Sequence, residues 1–255
     1  MNPNNNTILI TGGGSGIGRG LAEAFQKAGN QVIIAGRRRE ALKEATDASP
    51  GMKAVSLDID SPAAIRSFAA QMASEFPKLN VLINNAGIMK PENLLAQSDG
   101  VADAEAMVTT NLLGTMRLTA ALLPLLRRQA RSTIMTVSSG LAFLPLAMTP
   151  TYCATKAAIH SYTLSLRWQL KDTTTEVIEL IPPYVQTQLM GPQQAGDPRA
   201  MPLEDFLKET MQILKSQPAL TEVVVEKCKP LRFVAESGKF DAVFKGLNES
   251  MPAPH

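Results

Sequence analysis

The 255-residue sequence has few cysteines, histidines and aromatic residues. Its two cysteines, Cys153 and Cys228, are too few for a disulfide framework and show no metal-ligand spacing, so we expect free thiols. Since His160 and His255 are its only histidines, no zinc site is expected. The sequence has no apolar run of about 18 residues and no basic leader followed by an apolar stretch. We therefore predict no metal, no membrane span and a cytoplasmic location.

The chain also lacks an excess of charge of either sign, with 25 Lys and Arg against 23 Asp and Glu. A formal net charge of +2 gives no general attraction to nucleic acid or to an anionic membrane, so neither is an expected partner. Any anion site must be local. Hydrophobic residues make up 45% of the sequence, which is typical of a globular protein that buries a sizeable core.

Short β-branched apolar runs alternate with amphipathic stretches along most of the chain, and these patterns predict strands and helices in turn. Because uninterrupted apolar strands are buried on both faces, we predict a doubly wound parallel sheet with right-handed crossovers. The expected fold is α/β and Rossmann-like, with three layers α/β/α in a single domain over residues 1–255. The predicted strands are Thr7–Thr11, Val32–Ala35, Ala54–Leu57, Val81–Ile83, Thr133–Val137 and Val177–Ile181.

Two interruptions break the helical pattern. Pro124 lies within the apolar periodicity from about residue 101 to 128, so we expect the helix to kink or restart there. The stretch from Leu189 to Pro202 is rich in proline and glycine and has little periodicity. It predicts a substrate flap that, with the residues around it, covers about 188–216.

A glycine-rich turn, Thr11-Gly12-Gly13-Gly14-Ser15-Gly16-Ile17-Gly18, follows the first predicted strand. Glycines let the backbone approach a pyrophosphate, whose charge is stabilised by free N–H groups and the positive end of the next helix. The usual G-x-G-x-x-G spacing is absent, so an ordinary tight turn stays an alternative. No Gly-Lys-Ser/Thr is present, which argues against a P-loop nucleotidase.

Three arginines, Arg37-Arg38-Arg39, follow the second predicted strand, and no acid precedes Glu40. An NAD site commonly places an acid about 20 residues beyond the glycine turn, where it accepts from the ribose 2′-hydroxyl. Forked guanidinium donors instead suit a 2′-phosphate. The sequence therefore predicts NADP(H) in preference to NAD(H). The alternative is a solvated basic surface at the start of a helix.

Tyr152 and Lys156 are four residues apart on a predicted helix, so the ammonium can act on the phenol. A free tyrosine titrates near 10, and lowering its pKa to about 7 requires roughly 4 kcal/mol of preferential stabilisation of the phenolate. A desolvated lysine and an oxidised nicotinamide can supply energy of that order. Tyr-x-x-x-Lys alone also fits a structural or surface pair.

Together these motifs resemble the short-chain dehydrogenase/reductase family in its compact single-domain branch. The resemblance covers residues 7–190 and includes the glycine turn, Asn84-Asn85-Ala86-Gly87, Ser139 and Tyr152-x-x-x-Lys156, in this order. It implies hydride transfer between a nicotinamide cofactor and the carbon of a small-molecule carbonyl or alcohol. It also implies a homodimer or homotetramer.

The resemblance further implies a role for each matching residue. Tyr152 is the general acid in reduction, and Lys156 lowers its pKa and binds the nicotinamide ribose. Ser139 donates to the substrate oxygen, since only one of the neighbours Ser138 and Ser139 should face the site. Asn111 holds a water in a proton relay to the lysine. The expected cofactor-binding residues are Gly12, Ser15, Gly16, Ile17, Gly18, Arg37, Arg38, Asp58, Asn85, Ala86, Gly87, Tyr152, Lys156, Val185 and Thr187.

Two of these residues have plainer alternatives, and two features depart from the family pattern. Asn111 fits a solvated helix face, and Asp58 fits a helix N-cap. Pro183 stands where glycine is usual, and it removes an N–H near the nicotinamide end. The stretch 221–248 differs from the usual tail, which puts the usual subunit contact there in doubt. It is more similar to a bacterial subgroup that carries the DltE-like label.

The segment Gly140–Pro150 is largely apolar, and with Tyr184, Met190 and Met201 it predicts a hydrophobic pocket for a neutral ketone or aldehyde. The same side chains can instead pack the flap onto the body, and His160 is expected to be a helix-packing or interface residue. The overall prediction is an NADP(H)-dependent carbonyl reductase. The alternatives are a non-catalytic dinucleotide-binding sensor and an epimerase or dehydratase.

Overall fold

The computed structural model describes residues 3–95, 101–217 and 219–251. These ranges contain a seven-stranded, all-parallel sheet in the order β3-β2-β1-β4-β5-β6-β7. The order confirms the predicted doubly wound, Rossmann-like sheet in a single domain. The strands are β1 (Thr7–Thr11), β2 (Gln31–Gly36), β3 (Lys53–Ser56), β4 (Val81–Asn84), β5 (Ser132–Val137), β6 (Thr175–Ile181) and β7 (Glu222–Val224).

Helices flank the sheet, and a π-helical segment over Val108–Gly114 joins two of them. Within the described ranges, none is long and apolar enough to cross a membrane. Cys153 and Cys228 are free, buried thiols, as expected. The helices are α1 (Gly16–Lys27), α2 (Arg39–Ala48), α3 (Pro62–Glu75), α4 (Ala102–Met107), α5 (Thr115–Leu126), α6 (Pro150–Leu170), α7 (Leu203–Ser216), α8 (Lys229–Arg232) and α9 (Phe240–Ser250).

Strand β1 shows how both faces of the sheet are buried. Ile8 and Ile10 pack in a core cluster with Phe25 of α1, whereas Leu9 between them packs with Phe68 of α3 on the opposite face. Each such side chain is fully buried and contributes roughly 1.5–3 kcal/mol relative to exposure. The alternation fixes β1 and its neighbour β4 in the middle of the sheet. Strand order reverses between these two strands, which is where open α/β sheets bind ligands.

The helical pattern before β5 is interrupted at a different place from the one predicted. Helix α5 runs through Pro124 to Leu126, so the predicted restart at Pro124 is wrong, whereas a kink there stays a prediction. The change in helix type lies upstream, in the π-helical segment. Proline cannot donate to the carbonyl of Ala120, but both residues are exposed, so water can satisfy that carbonyl.

The C-terminal third adds elements that the sequence did not predict. β7 is a seventh strand that pairs in parallel with β6. In the stretch expected to form a flap, Val185 and Met201 form an isolated β-bridge, and residues 192–196 form a 3₁₀ turn. Helix α7 buries Phe206 and Leu214 in the main core. Only the part of 188–216 before α7 therefore stays a candidate flap.

Candidate active site

The glycine-rich turn connects β1 to α1. Gly12 (φ +66°) and Gly16 (φ +52°) adopt the left-handed region that favours glycine. A Cβ atom on Gly18 would lie 2.4 Å from the carbonyl oxygen of Gly12, so no side chain fits there. Helix α1 begins without a side-chain cap and has no acidic residue in its first turn. The positive end of α1 is therefore available to an anion.

Thr11 binds the glycine turn to the stretch that follows β4. Its Oγ1 accepts from the backbone N–H groups of Asn85 and Ala86, both at 3.0 Å. The Asn85 side-chain amide donates to the carbonyl oxygen of Thr11 at 2.9 Å. These contacts hold the expected cofactor-binding residues of both segments at the crevice between β1 and β4.

The arginines that follow β2 have different partners. Arg38 Nη2 donates to Ser15 Oγ at 2.7 Å and so reaches the glycine turn. Arg37 Nη1 donates to Asp60 Oδ2 at 2.7 Å, and the exposed Asp58 accepts from the Asp60 N–H at 3.2 Å. Sequence reasoning missed Asp60, because a lone acid in a loop gives no sign that it will contact an arginine 23 residues earlier. Arg38 is therefore the guanidinium placed at the turn.

Tyr152 and Lys156 are both buried on α6, on the same side of the helix. Lys156 Nζ lies 5.6 Å from the centre of the Tyr152 ring and donates to the carbonyl oxygen of Val137 at 2.8 Å. Ser139 Oγ accepts from the Leu141 N–H at 3.1 Å and lies close enough to the Tyr152 phenol to act on its pKa. Ser138 Oγ is buried and has no hydrogen-bond partner within the described ranges. The structure thus brings a phenol, an ammonium and the hydroxyl of Ser139 together.

Asn111 lies in the π-helical segment and is buried, so it does not face solvent as the plainer alternative supposed. Its Oδ1 accepts from the Ile88 N–H at 2.8 Å, and its Nδ2 donates to the Ile88 carbonyl at 2.9 Å. A Cβ on Gly87 would lie 3.3 Å from Asn111 Oδ1 and 3.8 Å from Lys156 Nζ. Gly87 therefore lets Asn111 and Lys156 approach the same small space, and π-helical turns are frequent at such sites.

Burial controls the protonation of the pair. Desolvation raises the pKa of Tyr152 above its ordinary value, although the hydrogen bond from Ser139 opposes the rise. Desolvation also lowers the pKa of Lys156 to about 8, and the negative charge of Glu179 opposes that fall. The lowered tyrosine pKa expected from the sequence is therefore not produced by the protein alone. The ammonium binds the Val137 carbonyl, and its attraction for a phenolate does not offset the loss of water.

The segment after β6 lies next to the glycine turn. A Cβ on Gly16 would lie 3.5 Å from the side chain of Thr187. Val185 is buried and paired with Met201, which fixes the backbone just before Thr187. Val185 and Thr187, both expected to bind the cofactor, thus lie where the chain runs from β6 toward the glycine turn. Pro183 precedes them, and the carbonyl of Pro182 accepts from the Gly140 N–H at 2.9 Å.

An apolar cluster surrounds Tyr152. It includes some of the residues expected to line the pocket, whereas Phe143 and Met201 pack in the main core instead. Sequence reasoning missed the contributions of α4 and α9, because no local pattern shows that these elements meet at the tyrosine. The cluster consists of Met89, Met107, Leu146, Tyr152 and Cys153, with Ile88, Leu141, Met148, Met190, Leu247 and Met251 packed against it.

Three hydrogen bonds hold α9 over this cluster. Asn248 Oδ1 accepts from the Ala147 N–H at 2.6 Å, and its Nδ2 donates to the Pro145 carbonyl at 3.3 Å. Arg199 donates to the Ser250 carbonyl at 2.9 Å and forms an ion pair with Asp197. Helix α9 is therefore bound both to the loop before α6 and to the candidate flap.

Comparison with known sequences identifies the family. The short chain dehydrogenase family profile matches residues 6–198. The chain is 37% identical over 251 residues to the "Uncharacterized oxidoreductase DltE" of Bacillus subtilis (strain 168), covering 97% of this chain and 98% of the relative. It is 34% identical over 182 residues to the "NADP-dependent 3-hydroxy acid dehydrogenase YdfG" of Shigella flexneri, covering 70% and 72%. The chain belongs to the short-chain dehydrogenase/reductase family.

Solved structures agree with the fold. A short-chain dehydrogenase/reductase from Burkholderia phymatum in complex with NAD superposes with a TM-score of 0.82 at 19% identity, covering 100% of both chains. The closed form of a serine dehydrogenase complexed with NADP+ gives a TM-score of 0.74 at 28% identity, covering 85% of this chain and 93% of that one. As a member of this family, the protein is an oxidoreductase with a nicotinamide dinucleotide site.

The lowered pKa of Lys156 predicts a pH-dependent stability. Between pH 8 and the ordinary lysine value of 10.5, the unfolded chain binds more protons than the folded one, so the free energy of unfolding rises with pH. Lys156→Met removes this proton. We expect the stability of Lys156→Met relative to wild type to fall by up to about 3 kcal/mol as the pH rises across this interval. Urea unfolding of both proteins measures the difference, and a difference that stays constant with pH would contradict the burial argument.

Proposed function

We propose that this protein is an NADP(H)-dependent carbonyl reductase that acts on neutral ketones or aldehydes. The observation that carries the proposal is the Tyr152 phenol, which is buried beside both Ser139 and Lys156 at the carboxyl end of β5. The family supplies the reaction class. The residues of this chain support reduction as the direction, NADP(H) as the cofactor and a neutral carbonyl compound as the substrate.

The side chains divide the chemistry of reduction among them. When bound, the nicotinamide supplies the hydride. Ser139 holds the substrate oxygen by a hydrogen bond where negative charge develops, and Tyr152 donates a proton to that oxygen. Since burial keeps Tyr152 protonated, it is suited to act as an acid. Lys156, whose pKa is about 8, can return a proton to the phenolate near neutral pH.

The position of Asn111 supports a part in the same proton transfer. Its carboxamide is fixed by both backbone groups of Ile88, and it donates to Thr155 Oγ1 at 3.2 Å. Gly87 has no side chain, and both Asn111 Oδ1 and Lys156 Nζ lie close to it. We therefore assign Asn111 to a proton relay that ends at the lysine.

The residues at the β1–β4 crevice fit a dinucleotide. Gly12 and Gly18 leave room that a Cβ would fill, and the open end of α1 suits the pyrophosphate. Arg38, which already contacts Ser15, is well placed for a 2′-phosphate. Arg37 is partly neutralised by Asp60 and is the weaker candidate. This arrangement supports NADP(H) over NAD(H).

Arg38→Gln tests the cofactor preference. We expect it to weaken NADPH binding about tenfold or more, because a charge-assisted contact to the 2′-phosphate is lost, and to leave NADH binding nearly unchanged. Arg39→Gln is the matched control, since Arg39 begins α2 and is also exposed. Fluorescence titration measures the dissociation constants of NADPH and NADH for each variant. Equal weakening of both cofactors by Arg38→Gln would show that this arginine does not select the phosphate.

The apolar cluster around Tyr152 supports a neutral substrate. Five methionines contribute to it, and methionine side chains adapt to irregular apolar ligands. Among the buried residues in the described part of the chain, Lys156 is the one cation, and its ammonium already binds Val137. A substrate carboxylate would therefore lack a buried counter-charge. We propose that residues 188–202 and α9 cover the pocket once a substrate is bound.

Oxidation of NADPH with a panel of carbonyl compounds tests the proposed function. We expect neutral ketones and aldehydes to react faster than the 3-oxo acids of matched length. Tyr152→Phe should lower kcat/KM by about 10²-fold or more and leave NADPH binding intact, because the proton donor is lost. Tyr162→Phe on the same helix is the control and should stay active. NADPH binding without oxidation by any carbonyl would contradict the proposal and favour a dinucleotide sensor.

The homodimer or homotetramer and the cytoplasmic location stay predictions. Association through the long helices is supported by the exposed Leu164 and Trp168 on α6, whose exposed fractions are 45% and 70%. These two residues are four positions apart on α6 and so share one helix face, and a contiguous exposed apolar patch often marks a protein interface.

A further inference from the structure

A row of polar side chains crosses the sheet beneath the catalytic helix. Asn84, Thr136, Glu179 and Glu222 pair in register on the four successive strands β4, β5, β6 and β7. Residues paired in this way on neighbouring strands point to the same face of the sheet. Thr136 bonds Thr163 of α6 at 2.7 Å, so the row faces α6. We call these four residues the polar row.

Glu179 is a charged and fully buried member of the polar row, and no role in the reaction has been assigned to it so far. Its side chain is 0% exposed. Its Oε2 lies 2.8 Å from Nδ1 of His160 on α6, while Oε1 is buried and has no hydrogen-bond partner in the part of the chain described. Burying a carboxylate costs several kcal/mol unless nearby positive charge compensates. The positively charged groups around Glu179 therefore indicate its role.

Positive charges approach Glu179 from two elements. Lys156 and Arg167 belong to α6, and Arg232 belongs to α8; all three interact electrostatically with the Glu179 carboxylate. Arg232 also binds both oxygens of Glu222, at 2.9 and 3.0 Å. Among the residues that the structure describes, the titratable and charged groups placed around Glu179 are His160, Lys156, Arg167, Glu222 and Arg232.

The arrangement does not favour a metal ion. One ligand atom from each of His160, Glu179 and Glu222 lies within 4.8 Å of the others, a spacing that could hold a cation. However, the Arg232 guanidinium already occupies both oxygens of Glu222 and lies 4.5 Å above the Phe143 ring. The Arg232 guanidinium thus occupies the position that a metal ion would need.

Lys156 is held next to the polar row. Its Nζ donates to the carbonyl oxygen of Val137, one residue beyond Thr136, and Val137 pairs in register with Leu180, one residue beyond Glu179. One step along a strand is about 3.3 Å. His160, which binds Glu179, lies one helical turn beyond Lys156 on α6. The ammonium and the buried carboxylate therefore share the same part of the interface between α6 and the sheet.

We propose that Glu179 is a positioning residue for the reaction, whose buried carboxylate, fixed by His160, holds Lys156 in its ammonium form. The inference rests on the proposed role of Lys156. Burial alone would drive the proton off this lysine, and the negative charge of Glu179 opposes that effect. Without the proton, Lys156 could neither stabilise the phenolate nor return a proton to it.

Titration of the lysine ammonium tests the proposal directly. The full chain is labelled at the lysine ζ-nitrogens and followed by NMR, and Lys156→Met identifies the signal. We expect the wild-type midpoint near pH 8. Glu179→Gln, which keeps the shape and removes the charge, should lower the midpoint by at least about half a pH unit. Glu176→Gln is the matched control, because Glu176 lies at the other end of β6 and pairs with Arg131; it should leave the midpoint in place.

A second variant tests the charge with the opposite sign. Arg232→Gln removes a cation from the same cluster, so the Lys156 midpoint should rise, whereas a merely structural disturbance would not give opposite shifts. Arg232→Gln also tests the proposal if Glu179→Gln does not fold.

The decline of NADPH oxidation at high pH should move to lower pH in Glu179→Gln. An unchanged midpoint in Glu179→Gln, or a downward shift in Arg232→Gln, would overturn the proposal. Failure of wild type to oxidise NADPH would defeat the proposed function, and the titration would still decide this inference.

Discussion

Burial of the Tyr152–Lys156 pair is the constraint on which the site depends. Removal from water penalises both the phenolate and the ammonium, so the phenol stays protonated and the pKa of the lysine falls to about 8. The Val137 carbonyl binds the ammonium, and the charge of Glu179 opposes its loss. A proton donor next to a group that exchanges protons near neutral pH suits carbonyl reduction. The same desolvation costs stability, which is a common property of active sites.

The sheet brings the parts of the site together, although they are far apart in sequence. β1, β4 and β5 end at one edge, and each is followed by a segment that the site uses. Thr11 binds the glycine turn to Asn85 and Ala86. The π-helical segment buries the Asn111 carboxamide beside Gly87, next to the space that Lys156 also approaches. Helix α9 covers the apolar side of Tyr152. The cofactor crevice is thus built by the N-terminal strands, and the substrate side depends on the less regular C-terminal segments.

The sequence predicted the six longer strands, the doubly wound sheet and the family, because apolar periodicity and short motifs report local structure and chemistry. It did not predict β7, whose three residues include Glu222, or the position of the helix irregularity, since Pro124 is tolerated on an exposed face. Contacts between distant segments were also missed. Asp60 beside Arg37, α9 over Tyr152 and the register that aligns Glu179 with Thr136 follow from tertiary packing, which leaves no local pattern.

The ionisation of Tyr152 is the measurement that tests this account most directly. Tyr162 and Tyr184 are the other two tyrosines of the chain, so a Tyr162→Phe/Tyr184→Phe background isolates the phenolate absorbance of Tyr152. The account predicts that without dinucleotide Tyr152 stays protonated beyond its ordinary pKa, and that saturating NADP+ moves its ionisation down by at least about two pH units. Ionisation at the ordinary value of a free tyrosine, unchanged by NADP+, would contradict it.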